Sequence, residues 1–232
     1  MNWISAAPAN SVGPGNDQEN VSTLHSPIEA LDYGTTGQLF DEIRTLLSQI
    51  PGLATDCVLK LAYFVLAIQF PECAEIWPFV SIVTPDPVGS SLLLRTLASL
   101  SASPLHVGEI SLNALLSLPA SPRPTLVLID QLASSKELER VLRIMSRPGG
   151  LYLRNGKFYD LFFPTVVCTS EPLHDRWILD QAVHVAFNPT RNRLPKLEPK
   201  SVRDSARKLQ GKLLRYREVN LAAVRESHFD AP

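Results

Sequence analysis

Hydrophobic positions along the chain fall into two alternating kinds of segment. Between Thr36 and Ile50, Leu39, Ile43, Leu46, Leu47 and Ile50 recur at helical spacing, and Pro51-Gly52 stops the run. A second helix is predicted from an N-cap at Thr55-Asp56 to about Gln69; it is apolar on most sides, as a buried helix is. Short β-rich runs follow, separated by helical segments. Residues 79–83, 125–129, 164–168 and 182–187 read as strands, and 90–99 and 135–145 as helices. The strand TLVLI lacks polar alternation, as expected where helices cover both faces of a parallel sheet. From 200 to 225 the helical period returns, with Ala206, Leu209, Leu213, Tyr216 and Val224 on one stripe. Strands alternating with helices predict a three-layer α/β fold with a mainly parallel sheet, N-terminal helices and a C-terminal helix. The expected divisions are an unstructured lead over 1–34, a helical segment over 35–76, the α/β core over 77–190 and a basic linker and helix over 191–232.

Composition narrows the class. At 232 residues and 45% hydrophobic, the chain suits one domain with appendages, not a wholly disordered protein. Three widely spaced cysteines without C-x-x-C argue against a disulfide framework or a thiolate zinc site. Five histidines show no ligand spacing. Ser101 and Ser103 near His106 read as loop residues, and Cys168 as a core thiol. Met1–Asn20 has no Lys or Arg and no long apolar run, so it is not a signal peptide. The longest apolar stretch, 61–70, is about half a membrane span and ends at Pro71. The expectation is a cytoplasmic protein with no membrane partner.

The formal net charge of −1 conceals a gradient. Residues 1–110 hold 3 Lys and Arg against 11 Asp and Glu; residues 191–232 hold 11 against 5. A basic tail fits nucleic-acid contact, or simply a solvated helix face. The terminal Ser-His-Phe-Asp-Ala-Pro reads as a connection rather than an ending, which raises the expectation of a truncated product.

Candidate chemistry lies where strand 79–83 meets its helix. A phosphate loop reads G-x-x-x-x-G-K-S/T. Aligned on Gly89, this chain has Thr84 in place of the first Gly and Ser90 in place of the Lys, while Ser91 keeps the hydroxyl that holds Mg²⁺. Asp86 adds a repelling charge. The run TLVLID ends in Asp130, forty-one positions after Gly89, in the form of the second nucleotide motif. Gln131 follows where many ATPases carry a catalytic Glu. A further strand ends near Thr169, the place of a γ-phosphate sensor. Each strand alone is also what a core strand with a polar end looks like.

From about Trp77 to Pro189 the chain resembles the ATPase core of phage- and plasmid-type primase–helicases, within the AAA+/helicase class. The carrying segments are TPDPVGSSLLLRTLASL, HVGEISLNALLSL, RPTLVLIDQ, FFPTVVCTSEPL and ILDQAVHVAFNP; the tail QGKLLRYREVNLAAVRESHFD is similar to a segment of degenerate members. The group's Asp-Arg pair corresponds to Asp180-Gln181 here. The resemblance implies ATP on Thr84, Gly89, Ser90, Ser91, Asp130 and Thr169, with Mg²⁺ on Ser91 and Asp130. The replaced Lys, Glu and Arg imply that ATP and Mg²⁺ binding is weak or lost and that no residue is catalytic. Residues 151–160 read as a hairpin with an Asn-Gly type I′ turn, at the place where related helicases aim a basic hairpin at DNA. Arg154 and Lys157 flank the turn; Tyr152 and Tyr159 either stack on bases or fill the core. With Arg207, Lys208 and Lys212 on the last helix, these cations are the expected DNA contacts. The implied partners are DNA and a homo-oligomer or larger replication-type assembly. The favoured function is an inactive DNA- or protein-binding module. The alternatives are an active DNA-dependent ATPase or helicase subunit and a mobile-element remnant without ligand.

Overall fold

The first helix opens on a capping box: Thr35 Oγ1 accepts from the Gln38 amide at 3.2 Å, and Gln38 Oε1 accepts from the Thr35 amide at 2.9 Å. The computed structural model describes residues 29–74, 79–85, 87–108, 110–117, 124–130, 132, 136–147, 149–187 and 200–227. In chain order the elements are α1 (Thr36–Ser48), α2 (Thr55–Ala67), β1 (Phe79–Val83), α3 (Pro87–Ser99), β2 (Pro104–Val107), α4 (Leu112–Leu116), β3 (Leu126–Ile129), α5 (Lys136–Met145), β4 (Leu151–Arg154), β5 (Lys157–Asp160), β6 (Thr165–Thr169), α6 (Arg176–Gln181), β7 (Ala182–Ala186) and α7 (Lys200–Glu226). A 3₁₀ turn at Pro71–Cys73 follows α2.

Five strands form a wholly parallel sheet in the order β2-β3-β6-β1-β7. Side chains alternate between its faces. Val80, Ile82, Leu126, Leu128, Val166, Cys168 and Val185 face a core shared with α1, α2, α3 and α7. Phe79, Val127, Ile129 and Val167 face the opposite layer, built by α4, α5 and α6. The α/β class, the parallel sheet and the long C-terminal helix match the expectation from sequence.

The chain leaves β1 through α3 on one face and crosses to the far edge at β2. It returns through β3 and β6, then passes β1 through α6 on the other face to reach β7. The connections after the adjacent strands β1 and β6 therefore diverge. A crevice at the carboxyl ends of such strands is where open α/β sheets bind ligands.

Three local outcomes differ from the sequence reading. The cap of α2 is Ala54, which makes no side-chain cap bond; Asp56 lies within the first turn, 3.7 Å from Lys60. Residues 29–34, placed within the unstructured lead, lie against α7. The Leu31 amide donates to the Gly211 carbonyl at 3.0 Å, and Tyr33 meets Tyr216 edge to face. The edge strand β2 is unannounced by its sequence, PLHV, because a leading Pro and a mid-strand His hide it.

Candidate functional site

Thr84 directly follows β1, and its amide donates to the Thr169 carbonyl at 3.0 Å. Asp130 directly follows β3, and its amide donates to the Val107 carbonyl at 2.8 Å. Ser90 and Ser91 sit in the first turns of α3, whose start at Pro87 suits a residue with no amide hydrogen. The sheet and this helix start thus bring Thr84, Gly89, Ser90, Ser91, Asp130 and Thr169 to one end of the fold. All except Ser91 are buried.

The contacts inside this group are specific. Ser90 Oγ donates to Asp130 Oδ1 at 3.0 Å, and Ser91 Oγ donates to Asp130 Oδ2. Both oxygens of one buried carboxylate are therefore held by consecutive hydroxyls. Cys168 lies alongside: burial pushes its thiol up to about 12, against the hydrogen bond with Ser90 and with the push of the Asp130 charge. Thr169 Oγ1 is buried and has no hydrogen-bond partner among the described residues.

This donor set fits one half of a magnesium nucleotide. A hydroxyl and a carboxylate oxygen in contact are hard oxygen donors of the kind Mg²⁺ takes. The phosphate half does not fit. The loop has no Lys or Arg between Thr84 and Ser91, and the hydroxyl at the Lys position is bonded to an anion. Among the described residues, no group of three His, Cys, Asp or Glu side chains is placed to hold a metal.

One neighbour escaped the sequence reading. His106 lies on β2, in register with Leu128, and interacts electrostatically with Asp130 and with Arg95 of α3. Desolvation lowers its imidazole below the usual 6.5, the Asp130 carboxylate opposes that shift, and Arg95 adds to it. Recognising PLHV as an edge strand was the signal needed. Ser101 and Ser103 remain loop residues: Ser101 Oγ lies 2.7 Å from Thr125 Oγ1, and the Ser103 amide donates to that same oxygen at 2.9 Å.

Among the described residues, the expected cationic contacts lie on two sides of the sheet. Arg154 and Lys157 face each other across the β4–β5 ribbon, which packs on the α5 side of the sheet; α7 lies on the opposite side. Arg207 and Lys208 are exposed. Lys212 pairs with Glu42 of α1 at 2.6 Å. Arg217 grips Glu72 through two bonds of 2.5 and 3.0 Å and also donates to the Gln69 carbonyl, while Arg225 lies 3.6 Å from Glu72. Tyr152 and Tyr159 turn inward against the α5 layer, and the Tyr152 hydroxyl lies 3.3 Å from Glu137. Asp86 and Gln131 lie outside the described residues.

No protein-family description matches the chain, and no curated protein matches it. Among solved structures, the apo C-terminal region of NrS-1 is similar at a TM-score of 0.46 and 12% identity, over 86% of this chain and 53% of that one. The JCV helicase is similar at a TM-score of 0.35 and 13% identity, over 81% of this chain and 60% of that one. The chain thus spans less than two thirds of each. No helix among the described residues is long and apolar enough to cross a membrane.

Proposed function

We propose that the chain is a P-loop-like module, related to primase–helicases, that does not hydrolyse nucleotide and works by binding DNA or protein. One observation carries this reading: both Asp130 oxygens are held by Ser90 and Ser91, and Ser90 stands where the phosphate-binding Lys would be. Phosphoryl transfer depends on cations that neutralise charge on the transferring group, and a missing transition-state Arg alone costs about 10³-fold or more in rate. Asp180-Gln181 supplies no such Arg.

The Ser91–Asp130 contact favours a second reading, a Mg²⁺-nucleotide site that binds without turnover. It and full activity are separable in one experiment. The full chain with ATP and Mg²⁺ is expected to release no more phosphate than Asp130→Ala does. Mg²⁺-dependent release that Asp130→Ala abolishes would overturn the proposal. A rise in melting temperature with ATP and Mg²⁺ but without release would select the binding-only reading, because a ligand of the folded state stabilises it by mass action.

A further inference from the structure

We propose that the β4–β5 hairpin is a docking element for an extended protein segment, acidic and partly apolar, supplied by a different protein. This docking role rests on the reading of the chain as a binding module, but not on its nucleotide site.

The hairpin has two unlike faces. Tyr152 and Tyr159, directly paired across the ribbon, pack toward α5. The other face carries Leu153 paired with Phe158 and, one step along, Leu151 paired with the exposed Asp160. The three apolar side chains are, in that order, 58%, 69% and 54% exposed. They are half of the six exposed large hydrophobics among the described residues, gathered on one ribbon of eight residues. Its two outer edges pair with no strand among the described residues, so their backbone groups are open to a further strand.

Charge defines the occupant. Arg154 and Lys157, on the tyrosine face, are direct cross-strand partners beside the turn, an arrangement that like charges destabilise. An added strand of alternating residues would therefore set its acids on this face and its apolar side chains on the other. Arg154 Nη1 is buried without a hydrogen-bond partner, and no carboxylate pairs with either residue among the described residues. A carboxylate from outside would relieve both conditions. Nucleic acid would also bring anions, but it gains most from aromatic platforms. Here two of the three exposed side chains are leucines, and the tyrosines are turned away. Among the described residues, a second copy offers the edge strands PLHV and AVHVA, without a carboxylate, and the ribbon strand KFYD, whose one Asp is offset by a Lys.

The test uses the full chain and fluorescence anisotropy. The probe is a labelled synthetic ten-residue peptide alternating Leu or Phe with Glu or Asp. Its comparators are the same peptide with Lys for every acid and a labelled oligo-dT of twenty nucleotides. The acidic peptide is expected to bind about tenfold or more tightly than the basic one. Lys157→Glu and Leu153→Ser should each weaken it about fivefold or more. Lys60→Ala, on α2, should not change it. Thermal melts of each variant verify that the fold is kept; Lys157→Glu alters an exposed side chain, so it carries the test even if Leu153→Ser is poorly folded. Equal binding of the two peptides would overturn the proposal. So would tighter binding of oligo-dT that Phe158→Ala removes, or self-association by sedimentation velocity that Leu153→Ser abolishes. Phosphate release is measured separately, so failure of docking and failure of the inactive-module reading are distinguishable.

Discussion

Asp130 is buried, and its two oxygens accept from Ser90 and Ser91. A buried acceptor that loses one donor keeps its desolvation cost, about 1–3 kcal/mol, and more where the group is charged. Ser90→Ala should therefore destabilise the fold by about 1–3 kcal/mol in urea denaturation, even though the variant removes only one oxygen atom. An unchanged midpoint would mean that the Ser90–Asp130 bond contributes nothing. The positions of these residues were legible in the sequence because each lies at a strand's end or a helix's start, and those junctions follow from periodicity. Their bonding was not. Ser90 looks like a lost Lys in the sequence, whereas in the fold its hydroxyl donates to the Asp130 carboxylate. His106 was illegible for a different reason: four residues beginning with Pro carry too little pattern to announce a strand.

At the scale of elements, the long helices, the apolar strands and the hairpin were read to within a few residues, and the edge strand β2 and the short helices α4 and α6 were missed. Helix α6 has six residues and is fixed by Asp175, whose side chain accepts from the Trp177 and Ile178 amides at 2.9 and 3.2 Å. Glu139 of α5, buried, accepts from the Asp175 amide at 2.8 Å. Such a helix is specified by its cap and neighbours, not by an apolar stripe. The hairpin was legible because Asn-Gly demands its turn: both residues have positive φ, 50° and 73°. Which face of the ribbon turns inward was not legible, because Tyr and Leu alternate equally well. The grip of α7 on the turn after α2 yields a pH prediction. Burial pushes the Glu72 carboxyl up, but the bonds from Arg217 and the charge of Arg225 outweigh it and hold the group below the usual 4.5. Its folded pKa is lower than its unfolded one, so its contribution is complete above pH 4.5 and is lost as pH falls through the folded value. Glu72→Gln should lower the melting temperature at pH 7, and that difference should shrink at about pH 3. A difference independent of pH would remove the ion pair as its cause.

For the molecule as a whole, the charge gradient takes on a new meaning. Read along the chain, an acidic front and a basic tail suggested an external anion for the tail. In the fold α1 and α7 are neighbours, and part of the gradient closes on itself through Lys212–Glu42, Arg217–Glu72 and Arg225–Glu72. Packing follows the same path. Ala206, Leu209 and Leu213 of α7 belong to one core with Leu39, Ile43 and Leu46 of α1 and the α3 face of the sheet. Gln210 Nε2 adds a bond of 2.6 Å to the Ser101 carbonyl, at the turn between α3 and β2. Gly211 permits the chain before α1 to lie close: a Cβ there would meet the Glu29 carbonyl oxygen at 2.5 Å. Helix α7 is therefore a wall of the domain. Burial of a Leu side chain is worth about 1.5–3 kcal/mol, and a small domain's whole stability is about 5–15 kcal/mol. Losing α7 removes its own buried leucines and uncovers those it shields, which together rival that total. A chain ending at residue 199 should thus lose its cooperative melt and bind a hydrophobic dye such as ANS, while Leu213→Ala should melt cooperatively with stability lowered by about 2–5 kcal/mol. A shortened chain that melts as sharply, and at the same temperature, as the full one would show that α7 is an appendage whose basic face is free for other partners.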